Sequence, residues 1–168
     1  AGLAALVRET RPDWTVEEVK AAIMNTATGD VTDGDDHTTG EPEAPMRVGA
    51  GRVDALDALG VDLLAMVADD PGTVGVSFGP VEAGAPLTVG KTVEVVNKSS
   101  RPRTARVSYE AATTVPGAQF EVWPPVLVVP PNGTATVDVT LTVTPEELRK
   151  VADPTIEKVQ AGVARQFL

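Results

Sequence analysis

Hydrophobic residues along these 168 positions follow two different rhythms. From residue 1 to about 66 they recur at helical spacing, interrupted by one polar loop. From about 73 to 144 they alternate with polar residues, rich in Val and Thr and punctuated by Pro and Gly, which is the rhythm of strands. The junction MVADDPGTVG contains Asp70-Pro71-Gly72, a strong turn signal, and marks a boundary between a helical unit at 1–66 and a strand unit at 73–168. The expected class is α+β: a helical hairpin followed by an antiparallel β-sandwich.

The opening stretch AGLAALVRET places Leu3, Leu6 and Val7 on one helical stripe, with nothing ahead of it able to cap a first turn. This helix should stop near Thr10, because Pro12 disfavours helical geometry at the residue before it. A second helix then has a complete start signal. Thr15 is an N-cap, Glu18 completes a capping box, and Trp14 and Val19 occupy the positions of a hydrophobic staple. Its apolar face is Val16, Val19, Ala22 and Ile23, and it should run to about Thr26. The polar stretch TGDVTDGDDHTTGEPEAPM reads as a surface loop. RVGAGRVDALDALG then gives an extended stretch, a glycine turn and a short helix from about Val53 to Leu59.

Five segments read as strands: GTVGVSFG, KTVEVVNK, RTARVSYEAA, QFEVWP and TATVDVTLTV. In the last, Ala135, Val137, Val139, Leu141 and Val143 alternate with Thr and Asp, as expected of a strand with one buried face. Pro130-Pro131-Asn132-Gly133 is the turn before it. Strands this short and closely spaced suggest a sandwich of immunoglobulin or fibronectin type III character. After Thr144, TPEELRKVADP reads as a short helix capped by Thr144, and QAGVARQFL is apolar again and ends without a closing turn.

Composition narrows the function classes. The net charge is −10, which repels phosphate backbones and anionic lipid and argues against nucleic-acid or membrane-surface partners. Aromatics are only 4%, so the core must be built from Val, Leu, Ile and Ala. Cysteine is absent, which removes disulfides, thiolate metal sites and Cys nucleophiles and leaves the redox compartment open. No apolar run reaches the ~18 residues of a membrane helix. No signal peptide opens the chain, so any export signal of a parent protein is expected upstream.

The first 27 residues, AGLAALVRETRPDWTVEEVKAAIMNTA, closely resemble the segment that follows the catalytic serine of subtilisin-like serine proteases. In that family the serine lies in a motif of the form G-T-S-M-A-x-P-H-V-A-G. Ala1-Gly2 resembles its last two letters, followed by the family's A-A-L-V run and P-x-W/L-[ST] turn. VGAGRVDALDAL, from Val48 to Leu59, resembles the G-A-G-x-V-D/N-A element that closes the catalytic domain. Val16 stands where the family usually has Pro, a change the first helical position tolerates. The second half resembles the fibronectin-III-like domain of many secreted or cell-wall subtilases, through the strand end at Thr92–Asn97 and the stretch Pro124–Thr136. On this resemblance, residues 1–66 are the C-terminal remnant of a catalytic domain and 73–168 a sandwich incomplete at its C-terminus. It further implies a missing first turn and nucleophile, an upstream Asp and His, and a secreted or cell-wall bacterial parent that cleaves peptide bonds. The implied partners are the upstream catalytic domain and, through the parent, protein or peptide substrates. No cofactor is expected in this segment, and the resemblance allows calcium in the parent.

The residues themselves hold no triad. Catalysis needs a nucleophile, a base within reach and an orienting acid. His37 lies in an acidic loop, and the serines Ser77, Ser99, Ser100 and Ser108 all lie in the strand half, none in a G-x-S-x-G elbow. No catalytic, cofactor or metal residue is therefore assigned. The acids Asp30, Asp33, Asp35, Asp36, Glu41 and Glu43 invite a calcium reading, but the glycine comes too early for an EF-hand and no glutamate closes the loop, so a solvated loop is preferred. A transition-metal site built on His37 alone is weak. Gly49-Ala50-Gly51 is not a dinucleotide fingerprint, because Asp54 replaces its third glycine; a tight turn against the helices explains it. Asn97 and Asn132 both begin glycosylation patterns and both fall in turns, and turn chemistry accounts for them. Trp14 and Trp123 read as core or interface residues. The alternative to a protease segment is a non-catalytic β-sandwich that binds a partner or serves as a spacer in a cell-wall or extracellular protein.

Overall fold

A computed structural model describes residues 1–34, 39–40, 42–43, 45–81, 84–111 and 114–148. The fold is α+β, with short helices and two antiparallel sheets. His37, Asp35, Asp36, Glu41, the end of TPEELRKVADP and the apolar QAGVARQFL lie outside the described residues.

Helix α1 spans Gly2–Thr10 with Ala1 at its N-cap and no side-chain cap. It ends where the sequence requires, since Pro12 cannot continue it, and the Arg11 N–H closes the last turn on the Val7 carbonyl at 2.9 Å. The expected stripe is only partly inward. Val7 is fully buried and Leu3 partly so, while Leu6 is 48% exposed. At about 100° per residue, Leu3 and Val7 lie about 40° apart and Leu6 about 100° from Val7, so a core centred on Val7 leaves Leu6 at the rim.

Helix α2, Val16–Asn25, carries the full capping box. Thr15 accepts from the Glu18 N–H at 3.2 Å, and Glu18 accepts from the Thr15 N–H at 2.9 Å. Trp14 is buried, with the Arg11 guanidinium 5.4 Å from its ring centroid. The inward face is Val19, Ala21 and Ala22 with Ile23 partly buried; Val16, expected on it, is 68% exposed at the first helical position. Helix α3 covers Pro45–Val48. Helix α4 covers Ala55–Gly60, two residues later than the periodicity suggests, because Asp54 accepts from the Leu56 and Asp57 N–H groups and so sets the start.

Strands β1 (Leu63–Val67), β2 (Leu87–Asn97), β6 (Thr134–Val143) and β4 (Ala118–Trp123) form one sheet in the order β1-β2-β6-β4. Strands β3 (Arg103–Arg106) and β5 (Val126–Val129) form the second. Two of these strands are absent from the sequence reading. β1 escapes it because both of its faces are covered. Leu64 enters a cluster with Val7, Trp14, Val19, Ala22 and Val74, while its neighbour Leu63 packs with Leu127, Val129 and Val137 between the sheets. A strand covered twice loses the alternation that reveals a strand covered once. β5 is a four-residue run between prolines, too short to register as a pattern. Conversely, GTVGVSFG forms no strand. Val74 is buried in the helical cluster, and the Thr73 carbonyl accepts from the Val67 N–H at 3.1 Å beside the sheet edge.

β2 therefore stands in the middle of the molecule. Val96 faces the helices, while Val93 and Val95 face the second sheet. Its pairing with β6 runs from Leu87↔Val143 to Val96↔Thr134. After β6, helix α5 (Pro145–Leu148) follows Thr144, whose carbonyl accepts from the Glu147 N–H at 3.1 Å.

Candidate functional site

A dense polar constellation lies where β2 ends near the start of α2. Asn97, the last residue of β2, is fully buried. Its side-chain amide donates to the carbonyls of Arg101 at 2.7 Å, Pro130 at 3.0 Å and Val129 at 3.2 Å, and its oxygen accepts from the backbone and hydroxyl of Ser99. This reaches beyond the turn chemistry expected at Asn97, since it ties the end of one sheet to the other. A buried amide with all its hydrogens engaged offers no nitrogen for a glycan.

Lys98 follows. Its N–H donates to the Asp62 carbonyl at 2.8 Å and its ammonium to Glu18 at 2.7 Å, and Asp62 in turn pairs with Arg103 of β3. At the other end of α2 the Asn25 side chain accepts from the Ala65 N–H at 2.7 Å, and between them Lys20 donates to the Gly72 carbonyl at 2.8 Å.

A second polar site lies beside the glycine turn. Thr28 and Arg52 form an isolated antiparallel bridge, and the Arg52 guanidinium makes two bonds to the Asp30 carboxylate. The bonds from Arg52 and then Thr28 lower the Asp30 pKa to about 2, and the same contact raises that of Arg52. Asp30, the first acid of the loop, is thus engaged with an arginine. Among the described residues, no group of three or more His, Cys, Asp or Glu converges as a metal site would require.

The serines have local structural roles or lie exposed. Ser77 accepts from the Gly79 N–H, and Ser99 donates to Asn97 and to the Arg101 carbonyl. Trp14 is core, as expected, whereas Trp123 is 68% exposed on the outer face of β4 and does not belong to the core. An apolar cleft of about 310 Å³ opens between the sheets, lined by Leu63, Val93, Val95, Val107, Val122 and Val139 among others. Among the described residues, no helix is long and apolar enough to cross a membrane.

No family model matches the chain. It is 32% identical over 110 residues to the minor extracellular protease Vpr of Bacillus subtilis (strain 168), a match covering 65% of this chain and 12% of that protein. It is 36% identical over 67 residues to subtilisin-like protease SBT1.7 of Arabidopsis thaliana, covering 38% of this chain and 9% of that one. The chain thus spans only a small part of the length of the curated relatives it matches. Over part of its own length, it is related to subtilisin-like proteases.

Proposed function

We propose that this chain is the C-terminal portion of an exported subtilisin-like serine endopeptidase, with the Ser-His-Asp triad upstream of it. The observation that carries this reading is the match to two proteases from a bacterium and a plant. In this reading residues 1–66 close the catalytic domain and residues 73–168 belong to an accessory fibronectin-III-like sandwich. The two sheets with Leu127, Val129 and Val137 shared between them support the sandwich. Leu6, Val53 and Leu56 are 48, 55 and 80% exposed on and beside α1 and α4, apolar side chains suited to be covered by the remainder of a catalytic domain. The extracellular relative supports export of the parent. The parent's chemistry would be acyl transfer through a serine nucleophile, with an oxyanion hole stabilising the tetrahedral intermediate.

The test is direct. The 168-residue chain alone should hydrolyse neither casein nor acyl-ester substrates, and the longer reading frame carrying G-T-S-M-A-x-P-H-V ahead of Ala1 should hydrolyse both. Turnover by the short chain, blocked by a serine-directed phosphonate, would refute the assignment. A second reading, a binding or spacer module, is favoured by Val126 and Val128, which are 52 and 62% exposed on the outer face of β5.

A further inference from the structure

The geometry points to Lys98 as a positioning residue, through which the four-stranded sheet holds helix α2 and, through α2, helix α1. Lys98 leaves the backbone at a fixed place. Asn97 before it is fully buried in the network joining the two sheets, and the Lys98 N–H donates to the Asp62 carbonyl. From there the ammonium crosses to Glu18, 80 residues away in sequence, at 2.7 Å. Glu18 is only 12% exposed in its side chain and Lys98 29%, so water screens the pair weakly.

One carboxylate has two tasks. Oε1 of Glu18 accepts from Lys98, while Oε2 accepts from the Thr15 N–H and completes the cap of α2. The position of the sheet is therefore written directly into the first turn of α2. The far end of α2 is fastened to the edge of β1 by Asn25, and the face between packs on Leu64, Val74 and, partly, Val96. Among the described residues, no hydrogen bond or ion pair runs from α1 to the sheet; its buried Val7 rests in the cluster with Trp14, Val19, Ala58 and Leu64. Helix α1 packs on both α2 and α4, and the α2 N-terminus is where Trp14 enters the core beside it.

The catalytic consequence rests on the protease reading above, in which α1 follows the nucleophile. There, loosening Lys98 would let α1 shift and would lower kcat without altering substrate binding. The structural half stands apart from that reading and is tested by amide hydrogen exchange on the 168-residue chain. In Lys98→Met, exchange within α1 and α2 should rise about tenfold, the scale of one charge-assisted hydrogen bond, while β2 and β6 keep their protection, and Lys98→Arg should restore the wild-type pattern. Unchanged exchange in α1 and α2, or a rise spread evenly over the chain, would overturn the assignment. Should Lys98→Met not fold, Glu18→Gln removes the charge while keeping an acceptor for the Thr15 N–H and is judged by the same pattern.

In the longer protease, Lys98→Met should lower kcat with KM unchanged, and Lys98→Arg should recover it. An unaltered kcat overturns the catalytic half. A wild-type protein without peptidase activity overturns the protease reading instead, and leaves the exchange result to judge Lys98.

Discussion

Gly51 passes so close to Thr28 that a Cβ placed on it would stand 2.2 Å from the Thr28 carbonyl oxygen. Its φ is 110°, a region that L side chains rarely adopt. The contact belongs to the bridge in which the Thr28 and Arg52 N–H groups bond each other's carbonyls at 2.8 and 3.0 Å. Gly51→Ala should therefore cost about 2–4 kcal/mol, combining backbone strain with a clash against main chain. Gly49 is the control. Its φ of 62° is left-handed helical and a Cβ there meets nothing within 4 Å, so Gly49→Ala should cost about 1 kcal/mol. Denaturant unfolding of both variants checks the difference.

Asn97 donates to three carbonyl oxygens from full burial. Asn97→Asp would face those oxygens with another acceptor, whereas Asn97→Ala only removes the donors. Both should destabilise, by about 3 kcal/mol or more for Ala and further for Asp, and the ranking in urea midpoints is the diagnostic.

The two tryptophans should behave oppositely. Trp14 is 7% exposed and Trp123 68% exposed. Trp14→Ala should cost about 3–5 kcal/mol, while Trp123→Ala should stay within about 1 kcal/mol. In the Trp123→Phe protein the remaining emission should be blue-shifted and poorly quenched by acrylamide. In Trp14→Phe it should be red-shifted and readily quenched.

Acid should act on the Asp30–Arg52 contact. The folded-state pKa of Asp30 is lowered from 3.8 to about 2, first by the Arg52 hydrogen bonds and then by Thr28. A depressed pKa contributes stability that is fully present above the unfolded value and is lost as pH falls toward the folded one. Wild type should thus lose more stability than Asp30→Asn between about pH 4 and 2, and the two should run parallel above pH 5. Both partners are more than half exposed, so 1 M salt should shrink the difference. Thermal melts across that pH range, with and without salt, measure it.

Much of the local structure was legible because its causes are local. Pro12 ends α1, Thr15 and Glu18 start α2, and the alternation from Ala135 to Val143 makes β6, each through contacts within a few residues. The inward role of Trp14 follows from its staple position beside that cap. A similarity to subtilisin-like proteases over part of the chain was also visible in the sequence, and two such proteases match it in part.

Which surface an apolar residue meets was not legible, because that depends on elements distant in sequence. LLAMV is a strand only because β2 pairs with it, and its residues do not alternate because helices cover one face and the second sheet the other. Val16 looks like part of the apolar face of its helix and Trp123 like a core or interface residue, yet the packing leaves both exposed. Asn97 reads as a turn residue, and only the arrival of Val129 and Pro130 from β5 and the turn after it makes it a buried tie. Glu18 announces a cap in the sequence, whereas its second partner, Lys98, is supplied by the fold across 80 residues. Caps, turns and periodicity are written in neighbouring residues, but burial and long-range pairing exist only once the layers have met.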